Sequence, residues 1–125
     1  MVKWFGTSIS APRWDGRFAS KGEIAVAIVA VSIAPVGGEA SVSRFVAEAL
    51  RVLEDYPQIE VQPGPMFTIL EGDLDEIFVA IRGMQEAVFD AGAVRVSTVM
   101  KIDDRRDREL TMKGKMDSVG RHMNP

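Results

Sequence analysis

Residues 93–108 read AVRVSTVMKIDDRRDR, and the first part of this stretch decides the architecture. Val94, Val96, Thr98, Met100 and Ile102 alternate with Arg95, Ser97, Val99, Lys101 and Asp103, the period-two pattern of a strand. The strand then runs into a dense mixed-charge cluster, Lys101 followed by Asp103, Asp104, Arg105, Arg106, Asp107 and Arg108. A strand that ends in mixed charge puts polar groups at the rim of an apolar core, where small-molecule sites are often found. The same cluster also suits a solvated turn leading into a helix, with its acids near the helix start where the dipole favours them.

Outward from this strand the chain punctuates itself clearly. Upstream, residues 73–91 carry Leu74, Ile77, Phe78, Ile81, Met84 and Val88 at steps of three and four, one apolar stripe on a helix. Asp73 with Glu76 three residues on makes a capping-box-like start, and Gly92 is the expected C-terminal cap. Residues 66–71 (MFTILE) read as a strand with Met66, Thr68 and Leu70 on one face and Phe67, Ile69 and Glu71 on the other. Residues 59–62 form a shorter strand, separated from it by the turn Pro63-Gly64-Pro65. Residues 41–55 place Val42, Phe45, Val46, Ala49, Leu50 and Leu53 on one helical stripe, with Ser41 as N-cap and Pro57 as the stop. Residues 24–34 (IAVAIVAVSIA) are apolar throughout, and too short to span a bilayer as a helix. They read as a central strand apolar on both faces and bounded by Pro35, Gly37 and Gly38. Downstream, Met112, Met116 and Val119 predict a weaker helix over residues 111–119, whose methionine stripe reads as core or subunit contact.

Residues 1–23 differ from the rest. Trp4, Phe5, Trp14 and Phe18 are scattered among Gly6, Pro12, Gly16 and several serines with no sustained period. They read as an appendage, flexible or in contact with a neighbouring subunit, preceding one domain over residues 24–125.

The order strand, helix, strand, strand, helix, strand, terminal helix predicts an α+β, ferredoxin-like βαββαβ antiparallel sheet with two helices on one face, plus a C-terminal helix. Right-handed crossovers are expected to put the first and last strands in the middle of the sheet. Helices cover only one face, yet the first strand is apolar on both. A second copy of the chain is the simplest cover, so a homo-oligomer is expected.

Composition narrows the chemistry. The chain has 125 residues, enough for one domain with a modest core. A net charge of −3 recommends neither nucleic acid nor an anionic membrane as partner. Cysteine is absent, which removes disulfides, thiolate nucleophiles and Cys-ligated metals and accords with a cytoplasmic location. His122 is the only histidine and lies near the C-terminus, where it reads as a surface residue. No phosphate loop or dinucleotide fingerprint occurs. Oxygen ligation of a hard metal at Asp103, Asp104 and Asp107 meets competition from Arg105, Arg106 and Arg108. Binding is easier to support than catalysis. Thr68 and Thr98 stand on the apolar faces of their strands and Ser32 in the all-apolar first strand, and a buried hydroxyl needs a partner. Local backbone groups could supply it; a small heteroaromatic ligand could as well.

Several stretches resemble the thiamine-binding protein family: SIAPVG at 32–37, the Ser41-Val42-Ser43 helix start, FTILEG at 67–72, and the run 96–108 with KIDDRRD at 101–107 as its most specific part. The likeness covers roughly residues 25–119. It implies a small ferredoxin-like domain that is cytoplasmic, non-enzymatic and assembled as dimers or tetramers. It further implies binding of thiamine or its hydroxymethylpyrimidine moiety, in salvage or transport of the vitamin, with no other cofactor. Residues 1–23 depart from the family pattern, in which the first strand starts almost at once. Strand position and chemistry nominate Ser32, Ser43, Thr68, Thr98 and Asp103 as ligand contacts. The hydroxyls would meet the pyrimidine and Asp103 the thiazolium cation or the amino group. The alternatives are a structural or partner-binding module, and an enzyme using Asp103 or Glu71 as base.

Overall fold

The elements run β1 (Val2–Trp4), β2 (Thr7–Ile9), β3 (Val26–Pro35), α1 (Ser43–Val52), β4 (Glu60–Gln62), β5 (Thr68–Asp73), α2 (Leu74–Asp90), β6 (Val96–Asp104) and α3 (Met112–Met123) in the computed structural model. It describes residues 2–4, 7–9 and 26–125. Strands β1 and β2 pair antiparallel as a separate two-stranded sheet; the rest of the expected appendage over 1–23 lies outside the described residues.

The domain follows the expected α+β, ferredoxin-like plan, a four-stranded sheet ordered β4-β5-β3-β6 with every neighbouring pair antiparallel. One expectation fails. The first strand, β3, is central, but its central companion is β5; the last strand, β6, is an edge that pairs with β3 alone. The cause is the interlocking of the two strand–helix–strand units. Each crossover skips one strand position, the gap is filled by a strand of the other unit, and the final strand is left outside.

Register sorts the side chains. Ala27, Val29, Val31 and Ile33 of β3 share a face with Leu70 of β5 and Val61 of β4, and against it pack Phe45, Ala49 and Leu53 and, from α2, Ile77, Ala80, Ile81, Met84 and Val88. Val29, Leu70, Ile77 and Val88 are fully buried, each side chain contributing roughly 1.5–3 kcal/mol by leaving water. α2 begins with the Asp73 carboxylate accepting from the Glu76 amide at 3.3 Å and ends at Gly92, whose φ of 116° an L side chain rarely adopts. Its partner α1 starts two residues later than expected. Val42 is the N-cap residue and makes no side-chain cap, while Ser41 shares a 3.3 Å hydroxyl contact with Ser43 instead.

The other face of the sheet is also partly covered, by α3. This helix runs to Met123, beyond its expected end, and Thr111 caps it by accepting from the Gly114 amide at 2.9 Å. It has no fully buried residue. Met116 and Val119 are 68% and 50% exposed, so its apolar stripe is not core.

Candidate functional site

Two cross-strand rows define the open face. Gln62, Ile69, Ala30 and Lys101 stand opposite one another on β4, β5, β3 and β6; in the next row stand Glu60, Glu71, Ile28 and Asp103. With strands about 4.8 Å apart, each row spans roughly 14 Å. α3 lies over these rows and is fastened at two points of the second. The Glu71 carboxylate accepts from the Met112 amide at 2.8 Å, and Lys115 Nζ lies 2.5 Å from Asp103 Oδ2. Between helix and sheet runs a groove of about 390 Å³, within the range of small-ligand sites. Its floor is Ile28, Ala30 and Ile69, its roof Met112 and Met116, and its polar margin Gln62, Lys101, Asp103 and Lys115.

Asp103, nominated from its place at the end of an alternating strand, lies on the margin of this groove. Ser32 is on the same face, opposite Val99, one row beyond the groove and about 13 Å along β3 from Ile28. The threonines point the other way. Thr68 stands opposite Val31 and Thr98 opposite Ile33, both towards α1 and α2. The Thr98 hydroxyl accepts from Gln85 Nε2 at 2.8 Å and is thereby satisfied within the protein. Thr68, 8% exposed, borders a separate cleft of about 70 Å³ with Val46, Leu50 and Met66. Ser32 borders that cleft too, at the point where β5 has ended and the β3 backbone edge is left without a strand neighbour. Ser43 lies at the exposed start of α1. The five nominated residues thus divide between the two faces of the sheet rather than forming one constellation. The alternation places residues on a face but cannot say which face a helix will roof.

Gln62, Lys101, Met112, Lys115 and Met116 were not nominated, although they complete the groove. The spacing of Met112 and Met116 was visible in the sequence; what was missing was the knowledge that α3 folds back over the sheet. Glu71, weighed as a base, has its carboxylate committed to the α3 amide.

The charge cluster resolves into pairs. Arg105 holds Asp107 through two contacts, at 2.5 and 2.8 Å, and Arg106 holds Asp104 through two at 2.8 Å. Hydrogen bonding from Arg105 keeps the Asp107 carboxyl at a pKa of about 2, and that from Arg106 lowers Asp104. Each carboxylate has both of its oxygens engaged by a guanidinium fork. No cluster of metal-ligating side chains occurs among the described residues.

A sequence profile described as thiamine-binding protein matches residues 29–120. The YqgV protein of Bacillus subtilis is 42% identical over 104 residues, which span 80% of this chain and all of that one. The crystal structure of the MJ1052 protein of Methanocaldococcus jannaschii superposes with a TM-score of 0.71 at 39% identity, covering 76% of this chain and 96% of that one. A Thermotoga maritima protein named for a provisional role in thiamine biosynthesis or salvage superposes with a TM-score of 0.64, covering 75% of this chain and 98% of that one. Its identity is 17%, so it bears on the fold alone.

Proposed function

We propose that this chain, which belongs to the thiamine-binding protein family, binds thiamine or its hydroxymethylpyrimidine moiety in the groove beneath α3, without catalysis. What supports the reading is the groove itself, a ligand-sized apolar slot with the Asp103 carboxylate, the Gln62 amide and the Lys101 and Lys115 ammonium groups on its margin. The aminopyrimidine stacks between the aliphatic floor and the Met112 and Met116 thioethers, which adapt to flat rings. Gln62 offers both a donor and an acceptor to the ring nitrogens and the amino group. The thiazolium cation lies by Asp103, exchanging places with the Lys115 ammonium. Of the nominated hydroxyls, Ser32 is the one on the groove's face; Thr68, Thr98 and Ser43 act through packing and helix placement. A role in vitamin salvage or transport in the cytoplasm follows from such binding. No helix among the described residues is long and apolar enough to cross a membrane.

Calorimetric titration with thiamine and with the pyrimidine alcohol tests this. Thiamine is expected to lose about tenfold in affinity in Asp103→Asn, whereas the uncharged pyrimidine alcohol loses less, because it lacks the cation. Absence of heat and of thermal stabilisation by both compounds at millimolar concentration would defeat the proposal.

A second copy of the chain completes the assembly in this reading. α3 roofs only one end of the open face, and Val99, 55% exposed, remains uncovered near the other. Apolar surface beside an edge strand is suited to pairing with a like surface.

A further inference from the structure

A second depression, of about 700 Å³, adjoins the groove, and Asp103 and Lys115 line both. Its charges are unevenly matched. Arg105 is engaged by Asp107, Lys115 by Asp103, and Asp117 by Lys113. Arg108 and Arg121, which also line the depression, make no ion pair or hydrogen bond with any described residue. Among the acids that line the depression only Glu109 is left against these two guanidiniums, with Asp107, already engaged by Arg105, adding a longer-range attraction to Arg108. The groove itself carries Lys101 and Lys115 against Asp103, so a bare cation leaves both hollows with surplus positive charge.

Resting on the ligand reading above, we infer that the occupant is a phosphorylated form of the ligand, a phosphate ester on the hydroxyethyl arm, with its phosphate held by Arg108 and Arg121. The order of groups along such a molecule matches the order of side chains. The ring end meets the apolar floor and the thiazolium meets Asp103 at the shared wall. The ester reaches past that wall to the arginines. Guanidiniums suit this duty because their planar fork pairs with two phosphate oxygens at once.

The test is titration calorimetry on the full chain with thiamine and with thiamine monophosphate. Wild type is compared with the double variant Arg108→Gln, Arg121→Gln. In wild type the ester is expected to bind at least about tenfold more tightly than thiamine, with a preference that shrinks as salt rises. In the double variant the Kd for the ester should rise to that for thiamine. Equal affinities in wild type, or a preference that survives in the double variant, would overturn the phosphate subsite while leaving the groove. Failure of both compounds to bind would overturn the ligand reading and the subsite together.

Discussion

Asp103 and Glu71 stand on either side of Ile28 in a single cross-strand row, and each reaches up to α3. Asp103 takes the Lys115 ammonium, Glu71 the Met112 amide. Two acids on the strands that flank β3 thus dock a helix that buries none of its own residues fully. Polar fastening with little apolar burial makes α3 the least strongly held cover in the domain, a property that suits the roof of a binding groove.

Removing the fastening should loosen the helix start without unfolding the sheet. In Glu71→Ala the Met112 amide loses a charge-assisted acceptor, at a cost of about 1 kcal/mol, comparable to losing an N-cap. Hydrogen exchange at Met112 is expected to accelerate several-fold while amides of β3 keep their protection. Unaltered exchange at Met112 would mean that the helix is held by its apolar contacts instead.

The two strand threonines should respond oppositely to valine. Thr98→Val strands the Gln85 amide, which now donates to the hydroxyl at 2.8 Å, and should destabilise by about 1 kcal/mol. Thr68 faces Val31 and its hydroxyl makes no hydrogen bond to a described residue, so Thr68→Val should be neutral or slightly stabilising, within about 0.5 kcal/mol. Denaturant midpoints of the two variants decide it; equal losses would contradict the assignment.

The alternation in residues 93–103 and the stripes over 41–55 and 73–91 made the α+β plan legible, because period and punctuation are local properties. Strand order was not local. Placing β6 at the centre failed because nothing in Val96–Asp104 distinguishes an edge from a middle strand; its apolar residues on both faces suit either. The site was half-legible for the same reason. Asp103 could be nominated from the end of its strand, but its partner Lys115 lies on a helix whose start is fastened to Glu71, far away in the chain. Ser32, Thr68 and Thr98 were visible as polar residues on apolar strands, yet register alone decided that Ser32 would stand one row beyond the groove on its side of the sheet and that the threonines would face α1 and α2.

The Arg105–Asp107 pair sets an acid limit that can be read directly. Hydrogen bonding by Arg105 depresses the Asp107 pKa from 3.8 to about 2. A depressed folded-state value means that the carboxylate's contribution to stability is complete above the unfolded value and fades as pH falls from about 4 through about 2. In Arg105→Gln the Asp107 carboxyl carbon, followed by NMR, is expected to titrate near 3.8. A midpoint still near 2 would show that Arg108 or the backbone holds the charge.

Assembly offers the last test. Among the described residues no strand lies beyond the nine-residue β6, and Val99, Met100 and Ile102 are 55%, 41% and 40% exposed. Val99 points to the open face beside Ser32, at the end that α3 leaves bare. If a second copy covers that face, Val99→Lys places a charge within the contact, and desolvating an unpaired ammonium there disfavours association strongly. Light scattering coupled to gel filtration should then report a shift from oligomer to monomer, with the thermal midpoint becoming independent of protein concentration. Val94, 94% exposed and outside β6, supplies the control: Val94→Lys should leave the mass unchanged. An oligomer that persists in Val99→Lys but dissociates in Val94→Lys would move the contact off the sheet face and onto the turn after α2.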